Sequence, residues 1–426
     1  MKRTLVTTVI FCAALCAWAQ SPLGLTYPLG APDLAVSGAA AAMGGTGTAV
    51  VNEYIGASVN PANAAVGGRS VFSALISYDM TSVYDNGKSD DASGYIPKLI
   101  SLIIPIGRAG NLGFSMQRRY DANLNFYTES ADDARPPLDE RTTNVTSVEI
   151  RRTGGLTSWQ AGWAYRFRNG VGLGVIYEGL FFNLDSRNVF NSTLSYNMDG
   201  ATESYSTTVV DSAVAAFASG GLRFGMQIPV NEKVTLGFAG EYALPGRGNG
   251  TETGGRRYDA ASTSGGGYDT SFSVTLPPSM SVGAAYKPDD NWLFAADAYT
   301  VWWEFYENGF KSDDAKQCFG LSFGARYIPA ANILSSKYWE RVHYAAGVRY
   351  ATLPNNKEDR DRAHEYAFSA GAGLPIPRDG GMVDFVISFG RRSDPKYGNY
   401  EENFVKLQIG LNGGRNWFQK DASREY

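Results

Sequence analysis

The sequence predicts an all-β fold, a transmembrane antiparallel β-barrel of about fourteen strands with an N-terminal hatch (plug) in its lumen. Three observations carry that expectation. The first is composition: the 426 residues include 49 Gly, 25 Tyr and 22 Phe, and only 19% are charged. An average domain has about 25% charged residues and about 7% Gly. The net charge of −4 is a poor match to a nucleic-acid footprint, and the 44% apolar content rules against disorder. The second is an export segment with no apolar helix after it. The third is a period-two alternation that recurs along the chain.

Residues 1–19 read as a signal peptide. Lys2 and Arg3 supply the charge, residues 4–16 the apolar stretch, and Ala17-Trp18-Ala19 a small-x-small cleavage site, so the mature chain is expected to start at Gln20. Neither Phe11-Cys12 nor Leu15-Cys16 has the small residue before Cys that a lipoprotein signal needs. After cleavage only Cys318 remains, so disulfides do not hold the fold. The most apolar later stretch, residues 99–106, contains Pro105 and is far shorter than the roughly 20 residues of a spanning helix.

The strands follow from parity. Trp159, Ala161, Trp163, Tyr165 and Phe167 alternate with Gln160, Gly162, Ala164, Arg166 and Arg168. Val175 and Tyr177 oppose Gly174 and Glu178, and Leu222 and Phe224 oppose Arg223 and Gly225. One face is apolar and the other small or charged, as a lipid-facing side and a polar lumen require. Aromatics gather near strand ends, at Tyr165, Phe167, Tyr286, Trp292, Tyr327 and Tyr350, where interfacial girdles lie. Such stretches fall at 70–79, 95–106, 111–127, 146–168, 171–196, 203–229, 233–245, 270–287, 291–307, 316–328, 341–352, 364–375, 382–391 and 403–412. The fourth to sixth are too long for the membrane and are expected to project beyond it. Short connections alternate with long ones near 80–94, 128–145 and 246–269. The twelve-residue connection at 329–340, with Tyr338-Trp339, is the exception and reads as an interfacial segment. The barrel spans 69–418, with a tail at 419–426.

Residues 20–68 lack alternation and are rich in Ala and Gly, which suits a plug. Met43-Gly44-Gly45-Thr46-Gly47 is not a dinucleotide turn, since no strand precedes it and no parallel βαβ pattern follows. His343 and His364 stand outside any metal-spaced cluster. A Ser–His hydrolase site is defined by geometry and not by spacing. Glu178, Glu241 and Asp297 share lumen faces, where pairing with arginines is the expectation ahead of acid–base catalysis. No enzyme, cofactor, metal or nucleic-acid partner is expected.

Two segments resemble the FadL/TodX family of outer-membrane transport proteins. Residues 42–50 followed by Ser58-Val59-Asn60-Pro61-Ala62 look like the family's hatch. Leu276-Pro277 through Tyr286, then Trp292, Ala296-Asp297 and Trp302, is similar to its late hairpin. Asn63 departs from the glycine common after Pro-Ala, and the chain runs past an aromatic terminus that Trp417-Phe418 could supply. The resemblance implies a monomeric barrel in the bacterial outer membrane, among lipid and lipopolysaccharide. It implies passive uptake of hydrophobic small molecules, such as long-chain fatty acids or hydrocarbons, with Asn60, Pro61 and Ala62 in the hatch. It also implies lateral release through a kinked third strand. The alternative class is a barrel that docks a secretion or surface-assembly machine.

The third strand carries a local conflict that locates such a gate at Arg118, Arg119 and Tyr120. Leu112, Phe114 and Met116 set its lipid-facing parity, which turns Arg118 toward lipid. A cation there costs roughly 2–4 kcal/mol at the midplane and about 0–1 near an interface. Either Arg118 snorkels to the headgroups or the strand bulges and breaks a ladder.

Overall fold

The computed structural model describes residues 29, 31–32, 37–85, 88–133, 142–198, 201–258, 261–308, 317–331, 337–354, 363–376, 381–393 and 401–415. The signal segment at 1–19, the Trp417-Phe418 terminus and the tail at 419–426 lie outside them.

Among the described residues, nineteen strands form one antiparallel sheet. They are β1 (Ala31–Pro32), β2 (Ser70–Asp85), β3 (Lys88–Pro105), β4 (Asn111–Asp121), β5 (Leu124–Asp133), β6 (Thr142–Arg166), β7 (Gly172–Met198), β8 (Ala201–Pro229), β9 (Val234–Ala243), β10 (Gly246–Tyr258), β11 (Ala261–Thr275), β12 (Ser279–Tyr286), β13 (Trp292–Val301), β14 (Glu307–Asn308), β15 (Cys318–Tyr327), β16 (His343–Thr352), β17 (His364–Ile376), β18 (Gly381–Ser393) and β19 (Glu401–Arg415). Fourteen make the wall, all but β1, β5, β10, β11 and β14. It closes where Glu401 to Arg415 of β19 pair with Tyr84 to Ser70 of β2. Closure removes the edges that lipid could not hydrogen-bond.

The parity read from the sequence is the parity of the wall. Trp159, Trp163, Val175, Tyr177, Leu222 and Phe224 are exposed on the outside, while Gln160, Glu178, Arg223 and Gln227 are buried facing the lumen. At the end with short turns, Trp292 stacks on Phe294 and packs against Tyr327, and Tyr165 lies between Trp163 and Phe167. In the 329–340 connection a 3-10 turn, Tyr338–Arg341, leaves Trp339 67% exposed, which suits an aromatic at a membrane interface.

Three expected strands are broken, 291–307 among them because it ends at Val301 before a 3-10 turn and the short β14, and several expected loops are strands. The stretch 111–127 is divided between β4 and β5, because β5 leaves β3 and pairs with β6 instead. The stretch 270–287 is interrupted at Leu276-Pro277-Pro278, where two residues without an N–H cannot continue a ladder. The loops near 80–94 and 246–269 are largely strand. Residues 246–258 find their partner because β8, at 29 residues, runs far beyond the membrane, whereas residues 80–94 pair within the β2–β3 hairpin and with β19. The upper part of β8 offers an edge that β10 takes, while the lower part pairs with β9.

Lumen-facing ion pairs staple the closing strands together. Arg392 donates through Nε to Glu365 and through Nη1 to Glu402, both at 2.6 Å, and Arg349 donates to Glu365 as well. Arg392 is buried, and its guanidinium lies 4.5 Å from the Phe404 ring. Arg392→Ala would take the cation that bridges two buried carboxylates, a cost of about 3–5 kcal/mol. The expected outcome is a lower temperature for the loss of the compact, fast-migrating form on unheated gels. An unchanged transition would show that the network is not a staple.

Candidate functional site

The segment 37–66 lies against the inner wall. Ser37 caps a five-residue helix, α1 (Gly38–Ala42), and Asn60 caps a 3-10 turn at Pro61–Ala65. Asn60 is fully buried, and Pro61 and Ala62 are buried beside it. Its Nδ2 donates to the carbonyls of Thr48 (2.7 Å), Met226 (3.2 Å) and Phe238 (3.2 Å), and its Oδ1 accepts from Ala62 N–H at 2.9 Å. One side chain therefore ties two turns of the segment to β8 and β9. The close approach needs a wall without side chains there. A Cβ on Gly225 would stand 2.0 Å from Asn60 Oδ1, and one on Gly237 would stand 2.2 Å from the Thr48 carbonyl.

Asp297 holds the same turn from β13. Its Oδ2 accepts from the backbone N–H groups of Gly47 (2.8 Å) and Thr48 (2.9 Å). Both of these contacts are with backbone donors, where the sequence suggested pairing with an arginine. Asn63 is also structural: its Oδ1 accepts from Gln227 Nε2 at 3.2 Å.

Arg118, Arg119 and Tyr120 sit at a discontinuity of the wall. The β3–β4 ladder ends at Leu99 opposite Gln117. The β4–β6 register then shifts between Arg118 and Tyr120, so Arg119 is the extra residue of a bulge. Strict alternation fails here, and both Arg119 and Tyr120 turn inward. Arg119 donates to Glu241 at 2.6 Å and to Glu178 at 3.3 Å, and Tyr120 packs edge-on against Trp303 at 5.9 Å. Arg118 keeps the outer parity without snorkelling, because Thr157 (3.3 Å), Asp121 (3.1 Å) and the Gly154 carbonyl accept its donors.

Two features beside this bulge escaped the sequence reading. In β3 the pairing with β2 skips Lys98, whose buried ammonium lies 3.3 Å from Asp79. In β6, Gly154 and Gly155 have φ of +131° and +134° and bend the strand opposite the bulge. Both left signals: a cation inside an apolar run, and adjacent glycines inside a strand pattern.

Three cavities adjoin there. A lumen cavity of about 160 Å³ is lined by Arg119, Arg223, Glu241, Asp297 and Gln117, with Leu29, Leu156 and Leu276 on its apolar side. A second, of about 320 Å³, occupies the wall opening between Tyr95 to Ile100 and Met116 to Arg118, and it shares Gln117 with the first. The third, about 730 Å³, is an outer groove lined by Leu102, Phe114, Trp159 and Phe181, and it shares Ile100 and Met116 with the second. Elsewhere, His364 Nε2 lies 3.0 Å from Ser393 Oγ, beside Tyr350 and Tyr366. Among the described residues no group of His, Cys, Asp and Glu could hold a metal.

Asn60→Ala removes four hydrogen bonds at a buried position, each worth about 1 kcal/mol net. Amide exchange of residues 47–63 is expected to accelerate by an order of magnitude or more. Unchanged exchange would mean that Asn60 does not clamp the segment.

A family model described as BamG matches residues 1–422. A search of curated proteins finds no match. Among solved structures, the CymD monoaromatic hydrocarbon channel is similar with a TM-score of 0.57 and 14% identity, over 91% of this chain and 100% of that one. A Pseudomonas aeruginosa FadL homologue gives 0.55 at 14% identity, over 91% and 98%. The Pseudomonas putida toluene transporter TodX gives 0.53 at 13% identity, over 91% and 98%. The resemblance to the FadL/TodX family is thereby borne out as a likeness of fold. The closed, even-stranded wall with its apolar exterior is that of a bacterial outer-membrane barrel. Because the family model runs over nearly the whole sequence, the chain belongs to the BamG family.

Proposed function

We propose that the protein is a passive outer-membrane conduit for hydrophobic small molecules, released sideways through the opening between β3 and β4. The observation that carries this reading is the series of three adjoining cavities from lumen to wall to outer groove. Similar barrels described as a monoaromatic hydrocarbon channel and a toluene transporter support hydrocarbons as the solute class, and long-chain fatty acids join it on the sequence resemblance alone. Residues 20–68 act as the hatch, fastened through Asn60, Pro61 and Ala62. Arg118, Arg119 and Tyr120 shape the gate. The conduit works as a monomer without cofactor or catalysis. A sideways exit suits an apolar solute, because it enters the bilayer without returning to water.

Cells lacking the protein are expected to take up fatty acids or monoaromatic hydrocarbons more slowly than cells that regain it. A cysteine pair across the opening, Ile96→Cys with Thr157→Cys, is expected to stop uptake when bridged by a bifunctional thiol reagent. Deleting residues 20–68 is expected to raise the ion conductance of the reconstituted barrel. Uptake insensitive to the bridge would remove the lateral route, and unchanged conductance would remove the hatch.

A second reading is favoured by the charge around the lumen cavity. Arg119, Arg223, Glu241 and Asp297 make a poor resting place for a hydrocarbon. On this reading the barrel docks a secretion or surface-assembly machine and carries no solute. Unchanged uptake of every hydrophobic solute tested would favour it.

A further inference from the structure

On the outer face of β17, β18 and β19 the side chains change with height, in rows set by the register. Phe368, Phe389 and Val405 form one row, Tyr366, Arg391 and Asn403 the next, and His364, Ser393 and Glu401 the last. Phe368 and Phe389 are exposed on the apolar exterior. His364 opens β17 and Ser393 ends β18, so both lie at the outer end, away from the short connection between the two strands. With a rise of about 3.3 Å per residue and a tilt near 45°, Ser393 stands roughly 9 Å above Phe389. The pair therefore sits at the outer headgroup level, where ester bonds join acyl chains to their heads.

Ser393 and His364 have the geometry of a nucleophile and its base. His364 Nε2 lies 3.0 Å from Ser393 Oγ, within reach of a proton transfer. The imidazole is set by aromatic neighbours, Tyr366 edge-on at 5.1 Å and Tyr350 at 6.5 Å. Both residues of the pair are half-buried, so a substrate can reach them. Arg391 shares their face two residues below Ser393, with its side chain 52% exposed. One of its nitrogens donates to Glu401, and a guanidinium has five N–H donors, which leaves others for an anionic oxygen.

We infer that the outer rim of β17 and β18 hydrolyses carboxylic esters of outer-leaflet lipids, with Ser393 as nucleophile and His364 as general base. Ser393 Oγ attacks the ester carbonyl carbon while its proton passes to His364 Nε2. The oxyanion that forms is stabilised by Arg391. When it collapses, the bond from carbon to the alcohol oxygen breaks, and that oxygen leaves with the proton held by His364. A water then gives a proton to His364 and attacks the acyl-serine, the bond to Oγ breaks, and Oγ recovers the proton as the fatty acid departs. The acyl chain lies downward along Tyr366, Phe389 and Phe368. The inference goes beyond the transport reading and does not rest on it, since β19 and β2 separate this rim from the opening beside β3.

The test uses the purified full-length protein in liposomes of phosphatidylethanolamine and lipopolysaccharide, with released fatty acid as the readout. Ser393→Ala and His364→Ala are compared with it, each as the compact, fast-migrating form on unheated gels. A fluorophosphonate probe, mapped by mass spectrometry, reports which serine is nucleophilic. Release at least about a hundredfold faster than from either variant is expected, with an adduct on Ser393 that His364→Ala abolishes. Arg391→Gln is expected to lower kcat with little change in KM. Release no faster than from the Ser393→Ala protein overturns the inference. So does an adduct that maps to another serine, and so does one on Ser393 that persists in His364→Ala.

Discussion

Inside a bilayer no water reaches the backbone, so each main-chain group of the wall must find its partner within the sheet. The rest of this barrel depends on that requirement. It explains why β19 returns to β2 over fifteen residues and leaves no seam. It also explains what surrounds the place where the β3–β4 ladder stops. Where β3 and β4 part, side chains take over from strands: Arg118 and Asn123 serve the backbone of Gly154, and two glycines let β6 bend to meet them. The opening is a rebuilt section of wall with its own hydrogen bonds on one side.

The opening is also an electrostatic construction. Each strand beside it contains one extra residue, Lys98 in β3 and Arg119 in β4, and each carries a cation into the lumen. Lys98 meets Asp79, and Arg119 meets Glu178 and Glu241. Burying these charges singly would be prohibitive, whereas together they offset one another's desolvation. The break in the ladder and the packing around it depend on each other. A regular register would leave Arg119 facing its carboxylates but turn Tyr120 outward, away from Trp303.

This interdependence sets how much was legible in the sequence. Parity is a local property, so Trp159, Trp163, Tyr177 and Phe224 declared the outer face directly, and the wall followed. The conflict at Arg118 was also local and marked the right stretch of the third strand. Its resolution was not local, because the partners of Arg119 lie 59 and 122 residues away along the chain. The same limit applies to Asp297. Its lumen parity was readable, but its partnership with the N–H groups of Gly47 and Thr48 depends on a segment about 250 residues earlier. The projecting hairpins were missed for a related reason. Residues such as Thr251 and Glu252 form a strand because the overlong β8 stands beside them.

The segment inside the barrel bears on the route a solute could take. Residues 47–63 are tied to β8, β9 and β13 by backbone and carboxylate contacts, several against glycine-bared wall. Freeing the axis would mean breaking these bonds together, and each broken buried bond costs more than it contributes when made. The side wall needs no such rearrangement, since its ladder already ends at Leu99. A lateral route therefore leaves the inner segment at rest. The charges at Arg119 and Glu241 add a second condition, because they disfavour lodging an apolar molecule beside them. An apolar solute would be held weakly in the lumen and more favourably in the outer groove of Leu102, Phe114 and Trp159. These environments, and not a tight site, would then set where along the path it rests.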